Sequence, residues 1–381
     1  MKRLLLFVGV LIGLTNCGSD DAPATDETTS SEATPISVPT TDERVPLLVN
    51  LNYFRLRDKP GTSGELVRML SEGDTLYDLN EVSDFTTAIR LRGVQYNDPW
   101  IRVETADGKN SGWVYGGGVS FDPYHDSPTT ERLMKRRMKN LFGDSIATAV
   151  STYRQEFTSV RTEADFARTL RDSDRLLDAM LGKLENILDV DYIVQAPDGE
   201  MPDLFWLEAV LPGYEEALVA EGTAYDFFTD WKQWAPIARR TTGTADDDYV
   251  ELMFALYRDS MENYFPAYFL QTWDYGGDSE LGAGIHFRIL DKMNKALALS
   301  DLFAPEINAH KEELLEDILS GNSYWLKKEP ILEELDAILD AEFGILTEAD
   351  IARLRKRREE FAKGAKDGLI LNNRQLGIGE T

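Results

Sequence analysis

One cysteine, three histidines and a shortage of bases set this 381-residue chain apart by what it leaves out. A lone thiol, Cys17, excludes any intrachain disulfide and any zinc site built on several cysteines. It also excludes a cysteine-peptidase centre in the body of the chain. His125, His286 and His310 lie too far apart for metal-ligand spacing, so neither a metal nor another cofactor is expected. Forty bases stand against 67 acids, a formal charge of −27. Such a chain repels nucleic acid rather than releasing its counterions, so no nucleic-acid partner is expected. There is no G-x-S-x-G elbow, no H-E-x-x-H and no glycine loop of the phosphate-cradling kind.

What is present begins at the N-terminus. Met1-Lys2-Arg3 is basic, and Leu4 to Leu14 is uncharged and apolar. As a helix that run spans about 16 Å, against a hydrocarbon core of about 30 Å, so residues 1–16 are expected to be a signal peptide and not a membrane span. The run ends in Leu14-Thr15-Asn16-Cys17. This resembles the lipobox of bacterial lipoproteins, with Asn16 in place of the usual small residue before the cysteine. The resemblance implies that Cys17 carries lipid and becomes the mature N-terminus. Several acyl chains, at about 0.8 kcal/mol per buried CH₂, then anchor the protein where one would be marginal. Removing Lys2 and Arg3 with the leader leaves a formal charge of −29. The acids that follow, in Gly18-Ser19-Asp20-Asp21, resemble surface-export signals of some Gram-negative lipoproteins. The expected location is the cell envelope, at the outer membrane.

Residues 17–45 form the next segment. Gly18 to Glu43 carries seven acids, no base and little that is apolar. Such a stretch cannot bury enough surface to offset its ordering entropy, and it reads as a disordered tether.

From 46 to 121, short apolar runs alternate with Gly, Pro and Asp turns, the pattern of a small β domain. The pieces come in order. Leu56-Arg57-Asp58-Lys59-Pro60 precedes Glu65-Leu66-Val67, and Gly73-Asp74 makes a turn. Then come Trp100-Ile101-Arg102-Val103, Asp107-Gly108 and Gly112-Trp113-Val114. This resembles the bacterial SH3 domain, with Arg55 where that family usually has Asn and with Phe85–Tyr96 as additional length. The resemblance covers about a fifth of the chain. It implies a small β-barrel that binds a cell-wall peptide, or an envelope protein, in a groove beside the Arg57–Pro60 loop. The residues that would line it are Tyr53, Arg57, Pro60, Phe85, Tyr96, Trp100 and Tyr115. For each single aromatic the alternative is core packing.

Beyond Pro128 the period changes to 3.6. Ile146, Val150, Tyr153 and Phe157 make one stripe, and Phe166, Leu170, Leu177, Leu181, Leu184 and Leu188 another. Thr162 and Thr347 each stand three residues before an acid, as helix caps do. Residues 129–381 are therefore expected to form an all-α domain, with a candidate subdivision at 241–245, including helices over 203–220 and 224–239. The whole reads as an SH3-like β-barrel followed by that helical domain. No catalytic residue stands out. Gly284-Ile285-His286 matches the start of the imelysin peptidase motif, but Ile289 stands where that motif needs an acid. Trp231 and Trp234 beside Asp226 and Asp230 read as core, with a sugar platform as the alternative. The runs Arg132–Lys139 and Arg353–Arg358 read as solvated helix faces. The expectation is thus a non-enzymatic envelope lipoprotein. The alternatives are an envelope hydrolase targeted by the SH3-like module, or a structural subunit of a surface complex.

Overall fold

The computed structural model describes residues 45–121, 128–188, 204–208, 210–219, 224–257, 265–271, 277–363 and 369–373. The leader, Cys17 and the tether up to residue 44 lie outside the described residues. The chain divides into two compact units. The first runs to Leu91 and resumes over Tyr96–Arg136; the second holds Arg92–Gln95 and everything from Arg137 on. Residues 241–245 fall within the second.

Seven strands form one antiparallel sheet: β1 (Pro46–Val49), β2 (Phe54–Arg57), β3 (Leu66–Leu70), β4 (Thr75–Leu91), β5 (Val94–Thr105), β6 (Ser111–Tyr115) and β7 (Val119–Phe121). Their order is β3-β2-β6-β5-β4-β1-β7. The alternation read in the sequence buries Leu47, Leu56, Leu76, Ile101, Val103 and Val114 completely on one side. Each such aliphatic contributes about 1.5–3 kcal/mol by leaving water. Three strands separate β3 from β4 in the order, yet Leu70 and Leu76 line one pocket, so the sheet curls. It does not close. β3 and β7 end the order without pairing to each other, and the expected closed barrel is a half-barrel.

Turn chemistry sets the register. Gly108 follows Asp107 with φ 66°, and Gly73 takes φ 85°, both in the region that glycine enters without a steric penalty. Gly118 answers a different need. A Cβ there would run into the ring of Phe54, so a side chain at this position has no room.

The second unit corrects the all-α expectation. It does hold helices: α2 (Asp144–Ser159), α3 (Glu163–Ile187), α4 (Trp231–Ala238), α5 (Ala245–Leu256), α6 (Ile285–Leu299), α7 (Ala304–Ser320), α8 (Lys328–Asp340) and α9 (Glu348–Lys363), while α1 (Pro128–Phe142) precedes them. But parts of the helices expected over 203–220 and 224–239 form a hairpin, β8 (Tyr214–Val219) with β9 (Ala224–Thr229), while Trp231–Ala238 is helical as expected. The reason is local. Gly213 turns the chain at φ 87°, and β9 is rich in aromatic and β-branched side chains, which suit a pleated surface better than a helix. Four more short strands, β10 (Phe269–Gln271), β11 (Gly277–Ser279), β12 (Ser323–Tyr324) and β13 (Ile370–Leu371), make a mixed sheet in that order.

The helical stripes pack as read. Ile146, Val150, Tyr153 and Phe157 are all buried on α2. On α3, Phe166, Leu170, Leu177 and Leu184 are buried and Leu181 is half-buried. The Thr162 hydroxyl caps α3 by accepting the Asp165 N–H at 3.1 Å. At α9 the cap is reciprocal. Asp350 N–H donates to Thr347 Oγ1 at 3.2 Å, and Thr347 N–H donates to Asp350 Oδ2 at 3.0 Å. Trp234, with no exposed surface, centres the core. Phe157 and Phe166 meet it edge-on at 4.9 and 5.0 Å, and its Nε1 donates to the Gly213 carbonyl at 3.1 Å.

Candidate functional site

The groove residues expected from the sequence part into two sets. Tyr96, Trp100 and Tyr115 are core, at 5, 3 and 3 % exposure. Trp100 and Tyr115 meet edge-on at 5.7 Å. Trp100 Nε1 donates to Thr87 Oγ1 at 2.8 Å, and the Tyr115 hydroxyl donates to the Thr87 carbonyl at 2.7 Å. A buried Trp or Tyr needs such a partner for its polar atom, and both rings have one. They build the platform and do not face a ligand.

The second set lies at the surface. Arg57 Nη1 donates to the Gly64 carbonyl at 2.5 Å, and Glu65 N–H donates to Asp58 Oδ1 at 2.7 Å. These two bonds tie the 58–64 loop to the ends of β2 and β3. Pro60 is half-buried in that loop. Next to it the Phe85 ring is 48 % exposed and close to Gly61, where a Cβ would sit 3.7 Å from Phe85 Cζ. Arg57, Pro60 and Phe85 thus come together. Tyr53 does not join them. It is 83 % exposed with φ 57°, and it precedes β2 while the loop follows β2.

The sequence gives no sign of a pocket at one end of the curl. It holds about 160 Å³. Leu70 and Leu76 floor it, and Asp74, Thr105, Arg68 and Asp107 line it. Arg68 Nη1 donates to Asp107 Oδ2 at 2.9 Å. The Asp107 carboxylate also accepts the Thr105 hydroxyl at 2.6 Å and the Lys109 N–H at 3.1 Å. The Thr105 bond, then the backbone N–H, then Arg68 hold this carboxyl well below the ordinary carboxylate range. The pocket therefore presents a fixed anion and a half-exposed guanidinium over an apolar floor. The turn signal Asp107-Gly108 is legible in sequence; its partner Arg68, 39 residues away, is not.

The second unit gathers chemistry-bearing side chains of another kind. His286 is fully buried, and its Nε2 lies 2.9 Å from Asp317 Oδ2. Ser279 donates its hydroxyl to the same carboxylate oxygen at 2.5 Å. Glu334 accepts the N–H groups of Gly282, Gly284 and Phe287 at 2.5, 3.0 and 3.0 Å. Serine, histidine and acid meet here without the order a nucleophile needs. Both the hydroxyl and the imidazole bond the same oxygen of the acid, and no hydrogen bond joins the imidazole to the hydroxyl. The arrangement holds β11, α6, α7 and α8 together. Trp231 and Trp234 are 9 and 0 % exposed, so they pack the core and offer no platform to a sugar. Partial burial, with Glu215 and Asp230 beside it, pushes the Glu208 carboxyl up. Among the described residues no group of three or more His, Cys, Asp or Glu is placed to hold a metal ion. Among them, too, no helix is long and apolar enough to cross a membrane.

The chain matches no protein-family model, no curated protein and no solved structure.

Proposed function

We propose that this protein is a cell-envelope lipoprotein, held at the outer membrane through acyl chains on Cys17, whose β unit binds a cell-wall peptide without catalysing a reaction. The lipobox-like Leu14–Cys17, the acidic tether and the order of SH3-like motifs over 46–121 support the reading. The observation that carries it is the Phe85 ring, 48 % exposed beside Gly61 and next to a loop pinned by Arg57. An aromatic face on a braced loop gives a peptide a flat apolar contact at low entropic cost. The core rings Trp100 and Tyr115 fix the sheet beneath without contributing to that contact.

The test is retention of the full mature chain on purified peptidoglycan. The wild-type chain is expected to be retained and Phe85→Ala to lose at least fivefold, with an unchanged circular dichroism spectrum. A wild-type chain that passes through unbound overturns the wall-peptide reading. In cells, Cys17→Ser is expected to abolish palmitate labelling and to release the protein from the membrane fraction.

A further inference from the structure

Beyond binding at the Phe85 face, we infer that the free edge of β3 accepts an extended, alternating acidic and apolar segment of a protein partner as an eighth strand. Three observations lead there. Among the described residues β3 ends the sheet and pairs only with β2. Three of its five side chains are apolar and open: Leu66 is 53 %, Val67 39 % and Met69 44 % exposed. No proline or lysine interrupts Leu66–Leu70; its one charge, Arg68, turns into the curl, and its pairing with β2 is irregular only at Leu56/Arg57, near its first residue. The opposite edge, β7, is only three residues long.

Charge identifies the occupant. Hairpin residues 54–70 carry Arg55, Arg57, Lys59 and Arg68 against Asp58 and Glu65, a net +2 in a chain of −27. The hairpin is thus a cationic stretch of an anionic chain, and its Arg68 stands with Asp74 and Asp107 at the pocket. Side chains alternate between the two faces of β3. Arg68 and Leu70 face into the curl, where they line the pocket, and Val67 and Met69 lie on the other side beside the exposed Arg55, which pairs with Met69. A partner strand of period two therefore meets the Arg68 guanidinium, with Asp107 and Asp74 behind it, on one face, and Val67 and Met69, flanked by the Arg55 guanidinium, on the other. Acids on the first face and β-branched residues on the second satisfy both. Arg68 already holds Asp107 through Nη1, and its remaining N–H donors leave room for a second carboxylate. The same arginine disfavours a second copy of this chain. Symmetric antiparallel pairing centred on β3 sets Arg68 opposite Arg68, two like charges across one pair.

The probe is a fluorescein-labelled octapeptide of alternating Asp and Val, followed by anisotropy on the full mature chain at low salt. We expect binding at least tenfold tighter than for the Lys/Val counterpart. Val67→Lys and Met69→Lys are each expected to lose at least fivefold, with unchanged circular dichroism. Leu299→Lys, at an exposed position of the helical unit, is expected to bind as wild type does. No anisotropy change with the Asp/Val peptide, equal binding of the Lys/Val peptide, or insensitivity to both lysine variants overturns the inference. A concentration-dependent dimer that Val67→Lys abolishes in sedimentation equilibrium assigns the edge to a second copy and overturns it. A chain lacking residues 20–43 that binds the probe tenfold more tightly assigns the edge to the protein's own acidic segment, with the same consequence. Retention on peptidoglycan is a separate readout, so either proposal can fail while the other stands.

Discussion

The two units handle apolar side chains in opposite ways. Among the described residues nine large hydrophobic side chains are exposed, and seven of them, Leu48, Tyr53, Leu66, Val67, Met69, Leu79 and Phe85, belong to the β unit. The larger helical unit leaves out only Leu299 and Ile370. Both units bury ionisable side chains, Asp78 and Asp98 in the β unit and several partnered sets in the helical one. Lys311 reaches Asp350 at 3.4 Å with both side chains less than a tenth exposed, and His286 meets Asp317. A curled sheet of seven strands has one inner face to fill, which leaves large apolar side chains exposed on its outer face and edges. A helical unit surrounds an aromatic centre on all sides. Under the proposed function, the β unit with its open apolar side chains does the recognising and the helical unit supplies a packed frame.

The largest effect that sharpens this contrast is at Trp234. Replacing a fully buried tryptophan with alanine removes its contacts with Phe157 and Phe166 and leaves a cavity, which costs about 3–5 kcal/mol. Trp234→Ala is expected to lower the unfolding free energy of the helical unit by that amount, read as a lower urea midpoint at unchanged slope. Anisotropy with the Asp/Val octapeptide should be unchanged wherever the β unit stays folded. A variant that folds like wild type breaks the assignment of Trp234 as the centre of the core.

The next effect depends on pH. Asp350 is buried, which works to raise its pKa, but hydrogen bonds from Thr347 and the Lys311 ammonium outweigh this and hold it below the ordinary value. A carboxyl lowered by folding stabilises the protein above its unfolded pKa, about 3.9, and the contribution is lost as pH falls through the folded value. Asp350→Asn is therefore expected to cost about 1.5–3 kcal/mol at neutral pH, by the usual worth of charged hydrogen bonds. The gap to wild type should close below about pH 4, followed in denaturant melts across pH. A gap that stays constant down to pH 2 sinks the argument.

How far the sequence foretold this can be judged at particular residues. The stripe Ile146–Phe157 and the caps Thr162 and Thr347 were legible, because helix period and capping are local properties of the chain. The Asp107-Gly108 turn was legible for the same reason. The β8–β9 hairpin was misread as helix because Asp203–Ala220 carries enough apolar residues to mimic helical spacing, and the decisive signals were Gly213 and the aromatics of β9. Strands of two or three residues such as β12 and β13 leave no periodicity to detect. At the candidate site, Arg57, Pro60 and Phe85 were legible as a group because a loop motif and an extra hairpin flank them. That Trp100 and Tyr115 turn inward depends on which face of the curl each strand presents, and period two alone does not say which face is inside. The apolar edge of β3 was readable only as a strand, since being an edge is a property of the sheet.

A third, smaller effect concerns the tightest packing in the β unit. Gly118→Ala drives a methyl group into the Phe54 ring, which sits beside the edge pair Phe54–Leu70. Overpacking of this kind costs about 1–3 kcal/mol. The loss is expected in the β unit alone, with the unfolding transition of the helical unit unmoved. A shift of both transitions by equal amounts contradicts the division into two units.

The smallest expected change in stability is also the sharpest test of the contrast. Arg68 and Asp107 form an ion pair whose side chains are 40 and 36 % exposed, over a pocket rather than inside a core. Water and salt screen such a pair, so removing it should leave the folding midpoint where it is. Lys311–Asp350 has the same two charges in a buried setting, and there the midpoint must move. The paired variants Arg68→Ala and Lys311→Ala, measured side by side in low and high salt, compare the two directly. Arg68→Ala is expected to leave the denaturation curve unchanged and to weaken Asp/Val octapeptide binding, with the wild-type salt dependence flattened. Lys311→Ala is expected to do the reverse, shifting the curve at either salt concentration and leaving peptide binding alone. If Arg68→Ala destabilises as much as Lys311→Ala, the β unit also uses this pair to stay folded, and its surface is not reserved for partners.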